Sequence, residues 1–165
     1  QLSDILQVTM PTYQEYFYKE FCEKLGLHNI DDMNIKIIDS YLKILHSESI
    51  DFTLSFRDLA KIVNKSMKVE DSVFKESKNF DKWFKAWKKE INITDIFQKM
   101  NLKNPCYIPR NHLIEDALKY ANNGNMTEIN LITKLLEAPF IEKDRYEKYT
   151  MPSSSDERYV TYCGT

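Results

Sequence analysis

The sequence is poor in residues that interrupt regular structure, with three glycines and five prolines among 165 residues. That scarcity argues against a β-sandwich or barrel, which takes a turn residue about every 8–12 positions. It also removes any glycine-rich phosphate cradle. A dominant charge is missing as well. The formal net charge is −2, from 23 basic and 25 acidic residues mixed along the chain, so there is no broad electrostatic footprint for nucleic acid or an anionic membrane. No uninterrupted apolar run approaches the roughly 18 residues that span a bilayer, and no charged-then-apolar leader opens the chain. Cysteine is equally sparse. Cys22, Cys106 and Cys163 are an odd number at unrelated spacings, unlike the framework of a disulfide-stapled secreted domain. These absences predict a cytoplasmic, all-α protein with no nucleic-acid and no membrane partner.

The chain does have core material: 42% of its residues are hydrophobic and 13% aromatic, enough for one domain of this length. Thr12 and Glu15 have capping-box spacing, and Tyr13, Tyr16, Phe17, Phe21 and Leu25 then recur at helical period until Gly26 supplies a stop. Asp31 and Asp32 can cap a second helix carried by Met33, Ile37, Ile38, Tyr41, Leu42 and Leu45. Asp51 can cap a third, carried by Phe52, Phe56, Leu59, Ala60 and Val63. After a weaker stretch from Lys65 to Asn79, the run FDKWFKAWKKEI places Phe80, Trp83, Phe84, Trp87 and Ile91 on one helical face. Lys82, Lys85, Lys88 and Lys89 fall opposite, so the rings read as core and the lysines as a solvated face. A short helical segment near Thr94 to Met100, a helix from Leu113 to Asn122 and a last one from Met126 to Glu137 complete residues 1–140. Residues 141–165 read as an irregular tail, either wrapped on the helices through Tyr146, Tyr149, Tyr159 and Tyr162 or mobile. The first residue is Gln1 and an amphipathic pattern starts within a few positions, so the chain is expected to begin inside a longer protein.

The segment MNLKNPCYIPRNHLIEDAL, Met100 to Leu118, is the most specific stretch. Pro105 and Pro109 restrict the residue before each to extended geometry, which holds Arg110 and Asn111 at a fixed helix entrance. A guanidinium fork there could grip a ligand. A buried Arg that ties loop carbonyls or a neighbouring carboxylate explains the pair better, because a charge at a packed corner must be paired; Arg110 and Asn111 are therefore read as a structural brace. Arg57, between Asp51 and Asp58, reads the same way. The Cys22–His28 spacing recurs as Cys106–His112, but zinc ligands come as close C-x₂₋₄-C or H-x₃₋₅-H pairs in converging loops, and a zinc site is not expected. Cys163, near the C-terminus, is accessible in this reading, which is the precondition for redox chemistry.

Together DFTLSFRDL (Asp51 to Leu59), FDKWFKAW (Phe80 to Trp87), the Met100 to Leu118 segment, NNGNMTEINLITKLLEAPF (Asn122 to Phe140) and the near-terminal cysteine resemble the C-terminal part of the SelO family, also called YdiU. The resemblance covers about two thirds of the chain. It implies a helical bundle belonging to the C-terminal lobe of a kinase-like fold, in a protein that transfers AMP from ATP to hydroxyl side chains of other proteins with Mg²⁺ or Mn²⁺. The family's nucleotide and metal ligands lie in regions this chain lacks, so the resemblance carries no catalytic, cofactor-binding or metal-binding residue onto it. The implied partners are the N-terminal catalytic region of the same protein and the protein substrates. It also implies that Cys163 is a redox switch that pairs with a cysteine of the catalytic region, although the CGT ending departs from the selenocysteine-type terminus. Two rival readings are a free-standing helical protein-interaction module and a structural helical domain of an unrelated ATP-dependent enzyme.

Overall fold

Helical periodicity in an aromatic-rich chain becomes seven α-helices in the computed structural model, which describes residues 2–92 and 94–153. They are α1 (Leu2–Leu25), α2 (Asp32–Ser47), α3 (Phe52–Val63), α4 (Phe80–Glu90), α5 (Ile96–Lys103), α6 (Asn111–Asn122) and α7 (Thr127–Leu136). Short 3₁₀ segments lie at Val69–Asp71 and Asp144–Tyr149, and there is no strand among the described residues. The all-α expectation holds. Two compact units divide the chain, Gln1–Asn104 and Pro105–Thr165, so that the boundary falls inside the Asn-Pro corner and residues 141–153 belong with the second unit.

Two of the three expected caps form. Asp31 Oδ1 accepts the Asn34 N–H at 2.8 Å and Asp51 Oδ1 accepts the Leu54 N–H at 2.8 Å, each satisfying an amide that the first turn leaves without a helical partner. At the other end of α1, Leu27 N–H donates to the Cys22 carbonyl at 2.8 Å, closing the helix as a Schellman motif around Gly26 at φ 66°.

The first unit closes around an aromatic core. Trp87, Tyr41, Phe56, Phe74 and Phe80 are almost wholly buried, with Tyr41 and Trp83 at 4.5 Å between centroids and Phe74 stacked on Phe80 at 4.0 Å. Each buried ring of this kind is worth roughly 1.5–3 kcal/mol in apolar transfer alone. Both indoles of α4 also need a hydrogen-bond acceptor. Trp83 Nε1 donates to the Ile37 carbonyl on α2 and Trp87 Nε1 to the Leu25 carbonyl at the end of α1, each at 2.9 Å, which ties α4 to both helices with a directional bond.

Three expectations change. Helix α1 does not start at Thr12 but runs from Leu2 through Pro11, which removes one backbone donor without ending the helix. Tyr13 and Tyr16 are 63% exposed rather than buried, since burial along α1 is confined to its C-terminal part, where the core lies. Met33, on the first turn of α2, is exposed as well, and Phe74 from the patternless stretch is buried in its place. In the second unit α6 and α7 pack together over Cys106, Tyr107, Ala117, Ile132, Leu135 and Tyr149. The wrapped alternative applies to Tyr146 and Tyr149; Tyr159 and Tyr162 lie outside the described residues.

Gly26 sits at positive φ, and a Cβ built on it would stand 2.0 Å from Ile96 Cδ1. Gly124 is also at positive φ but has open space around it. Gly26→Ala is therefore expected to lose about 2–4 kcal/mol of stability, from strain plus overpacking, against about 1 kcal/mol for Gly124→Ala. Urea unfolding of the two variants checks the difference; equal losses would mean that Ile96 simply moves aside.

Candidate functional site

The Asn-Pro corner was the strongest sequence candidate, and its two sides belong to different units. On the first-unit side Asn104 is 2% exposed and follows the last turn of α5. Its Nδ2 donates to the Lys24 carbonyl at 2.8 Å and to the Met100 carbonyl at 2.9 Å, while its Oδ1 accepts from Lys24 Nζ at 3.4 Å. One side-chain amide thus gives the Lys24 carbonyl at the end of α1 a donor and adds a second donor to the Met100 carbonyl, which already accepts the Asn104 N–H at 2.9 Å. Burial lowers the Lys24 pKa from its usual value, and its ammonium also lies 5.4 Å from the centre of the Phe56 ring.

Arg57 reaches the same place from α3. It is buried, and its Nη1 donates to the carbonyls of Asn101 at 3.3 Å and Asn104 at 3.2 Å. Asp58, beside it and also buried, accepts the Val73 N–H at 2.9 Å and so fixes the irregular stretch after α3. At the surface Lys103 pairs with Glu20 at 3.1 Å and with Glu23. The hydrogen bond to Lys103 holds the Glu23 carboxyl below its usual range, and the two carboxylates raise the Lys103 pKa.

On the second-unit side the Pro139 carbonyl accepts three donors: the backbone N–H groups of Cys106 at 2.8 Å and Tyr107 at 3.2 Å, and Cys106 Sγ at 3.0 Å. The Tyr107 hydroxyl accepts from Lys143 N–H at 3.0 Å and donates to the Lys143 carbonyl at 3.4 Å. These bonds hold the chain after α7 against the corner. Tyr149 continues the hold by donating to Glu128 Oε2 at 2.7 Å, and burial, followed by that carboxylate, raises its pKa.

Arg110 and Asn111 part company in the structure. Arg110 is buried immediately before α6, whereas Asn111 is exposed on its first turn. The cavity that Arg110 lines with Tyr107, Leu113, Ile132 and Tyr149 holds about 10 Å³, the threshold for a single water and far too little for a nucleotide. Cys22 and Cys106 are buried; Cys22 Sγ donates to the Asn29 carbonyl at 3.3 Å, as Cys106 does to Pro139. Among the described residues no three His, Cys, Asp or Glu side chains gather as a metal would require. Cys163 lies outside the described residues. Reasoning from sequence missed Asn104 as a hydrogen-bonding centre, although its signal was present: a polar residue locked ahead of a proline at the close of an amphipathic helix.

Asn104→Ala is expected to cost about 2–3 kcal/mol, because a buried amide and its bonds to the Lys24 and Met100 carbonyls are lost together. Asn111→Ala, on an exposed turn, should stay within about 0.5 kcal/mol. Denaturant midpoints of the two variants make the comparison; an Asn111 loss equal to that of Asn104 would move the brace to the helix entrance.

A family model described as Protein adenylyltransferase SelO matches residues 1–137. Among curated proteins, the protein nucleotidyltransferase YdiU of Maridesulfovibrio salexigens is 31% identical over 98% of this chain and 34% of its own length. The protein of the same name from Clostridium perfringens strain SM101 is 36% identical over 93% of this chain and 31% of its own. That of Bacillus cereus strain AH820 is 30% identical over 93% and 32%. The chain spans about a third of the length of these curated relatives.

Proposed function

Because the chain belongs to the protein adenylyltransferase SelO family, we propose that it is the C-terminal helical part of a protein adenylyltransferase and supports a catalytic centre built from the rest of that protein. The observation that carries this reading is the family match over residues 1–137 by a chain that spans about a third of its relatives' length. The whole protein, in this proposal, has a kinase-like fold and transfers AMP from ATP to Ser, Thr or Tyr hydroxyls of other proteins. The N-terminal catalytic region and those substrates are its partners. A Mg²⁺ or Mn²⁺ ion would offset charge on the phosphates there.

Among the described residues no three His, Cys, Asp or Glu side chains converge, and the buried arginine of the corner lines a cavity of about 10 Å³. The work assigned to this chain is mechanical. Asn104 and Arg57 tie helix ends within the first unit, while the Pro139 carbonyl ties the chain after α7 to Cys106 and Tyr107 within the second. A reacting group misplaced by about 1 Å can lose on the order of 10²-fold in rate, so a rigid support has catalytic value without touching substrate.

Two outcomes follow from this reading. Calorimetric titration of the 165-residue chain with ATP and Mg²⁺ is expected to show no saturable heat, and tight Mg²⁺-dependent binding would return the nucleotide site to this chain. In the full-length protein, Cys163→Ser is expected to abolish the dependence of AMP transfer on thiol reductants; an unchanged dependence would remove Cys163 from any redox role.

A further inference from the structure

Helix α1 is 24 residues long, but among its described side chains burial starts only at Phe17. Every residue from 9 to 16 is exposed, about two helical turns with no covered face. Met10 is 49% exposed, and Tyr13 and Tyr16 are 63% exposed each. At about 100° per residue, Met10, Tyr13, Phe17 and Phe21 fall within about 80° of one another and form one stripe. That stripe is continuous with the core. Ring centroids step from Phe56, 2% exposed, to Phe21 at 6.3 Å, then to Phe17 at 4.7 Å and to Tyr13 at 6.1 Å. Phe52, 46% exposed, stands beside it at 6.2 Å from Phe21. An aromatic ladder thus leaves the core of the first unit and ends in solvent. The stretch is also a poor helix by itself, because Pro11 removes a backbone hydrogen bond and a short helix with no packed face is marginal in water.

We propose that the exposed end of this ladder, Met10, Tyr13 and Phe17 with Tyr16 and Phe52 beside them, is the surface on which the remainder of the same polypeptide packs. This rests on the reading of the chain as one part of an adenylyltransferase, and it names the face through which the two parts meet. The family match begins at residue 1 and so includes the uncovered turns, while the relatives share only 34% and 31% of their own lengths with this chain. The occupant that accompanies this stretch in those proteins is therefore the rest of their own chain. Covalent linkage presents it at an effective concentration on the order of millimolar, an advantage that no separate partner has. The chemistry of the face agrees. Residues 9–16 carry one charge, Glu15, and no lysine or arginine, which disfavours nucleic acid and an anionic lipid surface. Tyrosine and methionine at the margin of a core suit a contact between domains of one chain, which is more polar than an interior.

Hydrogen exchange followed by mass spectrometry on the 165-residue chain and on the full-length protein tests this. In the 165-residue chain, residues 9–16 are expected to exchange at close to the unprotected rate; in the full-length protein they should exchange at least about 100-fold more slowly. Tyr13→Asp and the milder Met10→Ser should leave the melting temperature of the 165-residue chain within about 1 °C, since both side chains are exposed. In the full-length protein either variant should return residues 9–16 to fast exchange while α4 stays protected, and Tyr13→Phe should keep the slow exchange. Fast exchange of residues 9–16 in the full-length protein, slow exchange in the 165-residue monomer, or no effect of either variant overturns the proposal. Slow exchange that appears only as the full-length protein dimerises gives the stripe to a second copy and overturns it as well. AMP transfer is measured separately on the same protein: its absence beside slow exchange would remove the proposed activity and still support the packing.

Discussion

The carbonyl groups at the ends of helices α1 and α5 set the central constraint on the first unit, because they meet at one buried side chain, Asn104, which is 2% exposed. A buried carbonyl without a donor costs on the order of 1–3 kcal/mol, comparable to a sizeable share of a small domain's total stability. Asn104 meets that demand with a single amide that donates to Lys24 and Met100, and Arg57 brings α3 to the same point by donating to the carbonyls of Asn101 and Asn104. Three helices are therefore held by two side chains. The apolar packing around them supplies most of the energy, but it is non-directional and would tolerate a shift in register that these bonds do not.

The same logic recurs wherever this chain buries a polar group. Trp83 and Trp87 bring large rings into the core and, with them, indole donors that each take a backbone carbonyl on another helix. In the second unit, the Pro139 carbonyl collects the Cys106 and Tyr107 donors, and the Tyr107 hydroxyl clamps both backbone groups of Lys143. A small helical pair with a modest core gains definition from such bonds. Directional hydrogen bonds of this kind preserve position, which non-directional packing alone does not.

Much of the fold was legible because helices announce themselves locally. Asp31 and Asp51 cap where their spacing said they would, and the aromatic face of α4 is buried as its period required. The errors have a common cause. Tyr13 and Tyr16 share the period of Phe21 and Leu25, yet periodicity names a face without saying how far along the helix a neighbour reaches. Phe74 lies in a stretch without period and is buried because Asp58 pins the backbone beside it at Val73. Arg110 and Asn111 looked like a unit as adjacent residues at a helix entrance, but Arg110 sits in extended geometry before α6 and is buried, while Asn111 opens the helix and meets solvent.

The sequence by itself determined the all-α class, the Asp31 and Asp51 caps of α2 and α3, the aromatic face of α4 and the family, since each rests on the order and spacing of residues along the chain. Only the tertiary structure decided that Asn104, rather than Asn111, would join helix ends, that the Arg110 cavity would be too small for a nucleotide, and that the aromatic stripe of α1 would run out of the core into solvent. The physical reason is distance along the chain. Lys24 and Asn104 are 80 residues apart, and whether an amide finds a carbonyl at that separation depends on how helices pack, which no local pattern encodes.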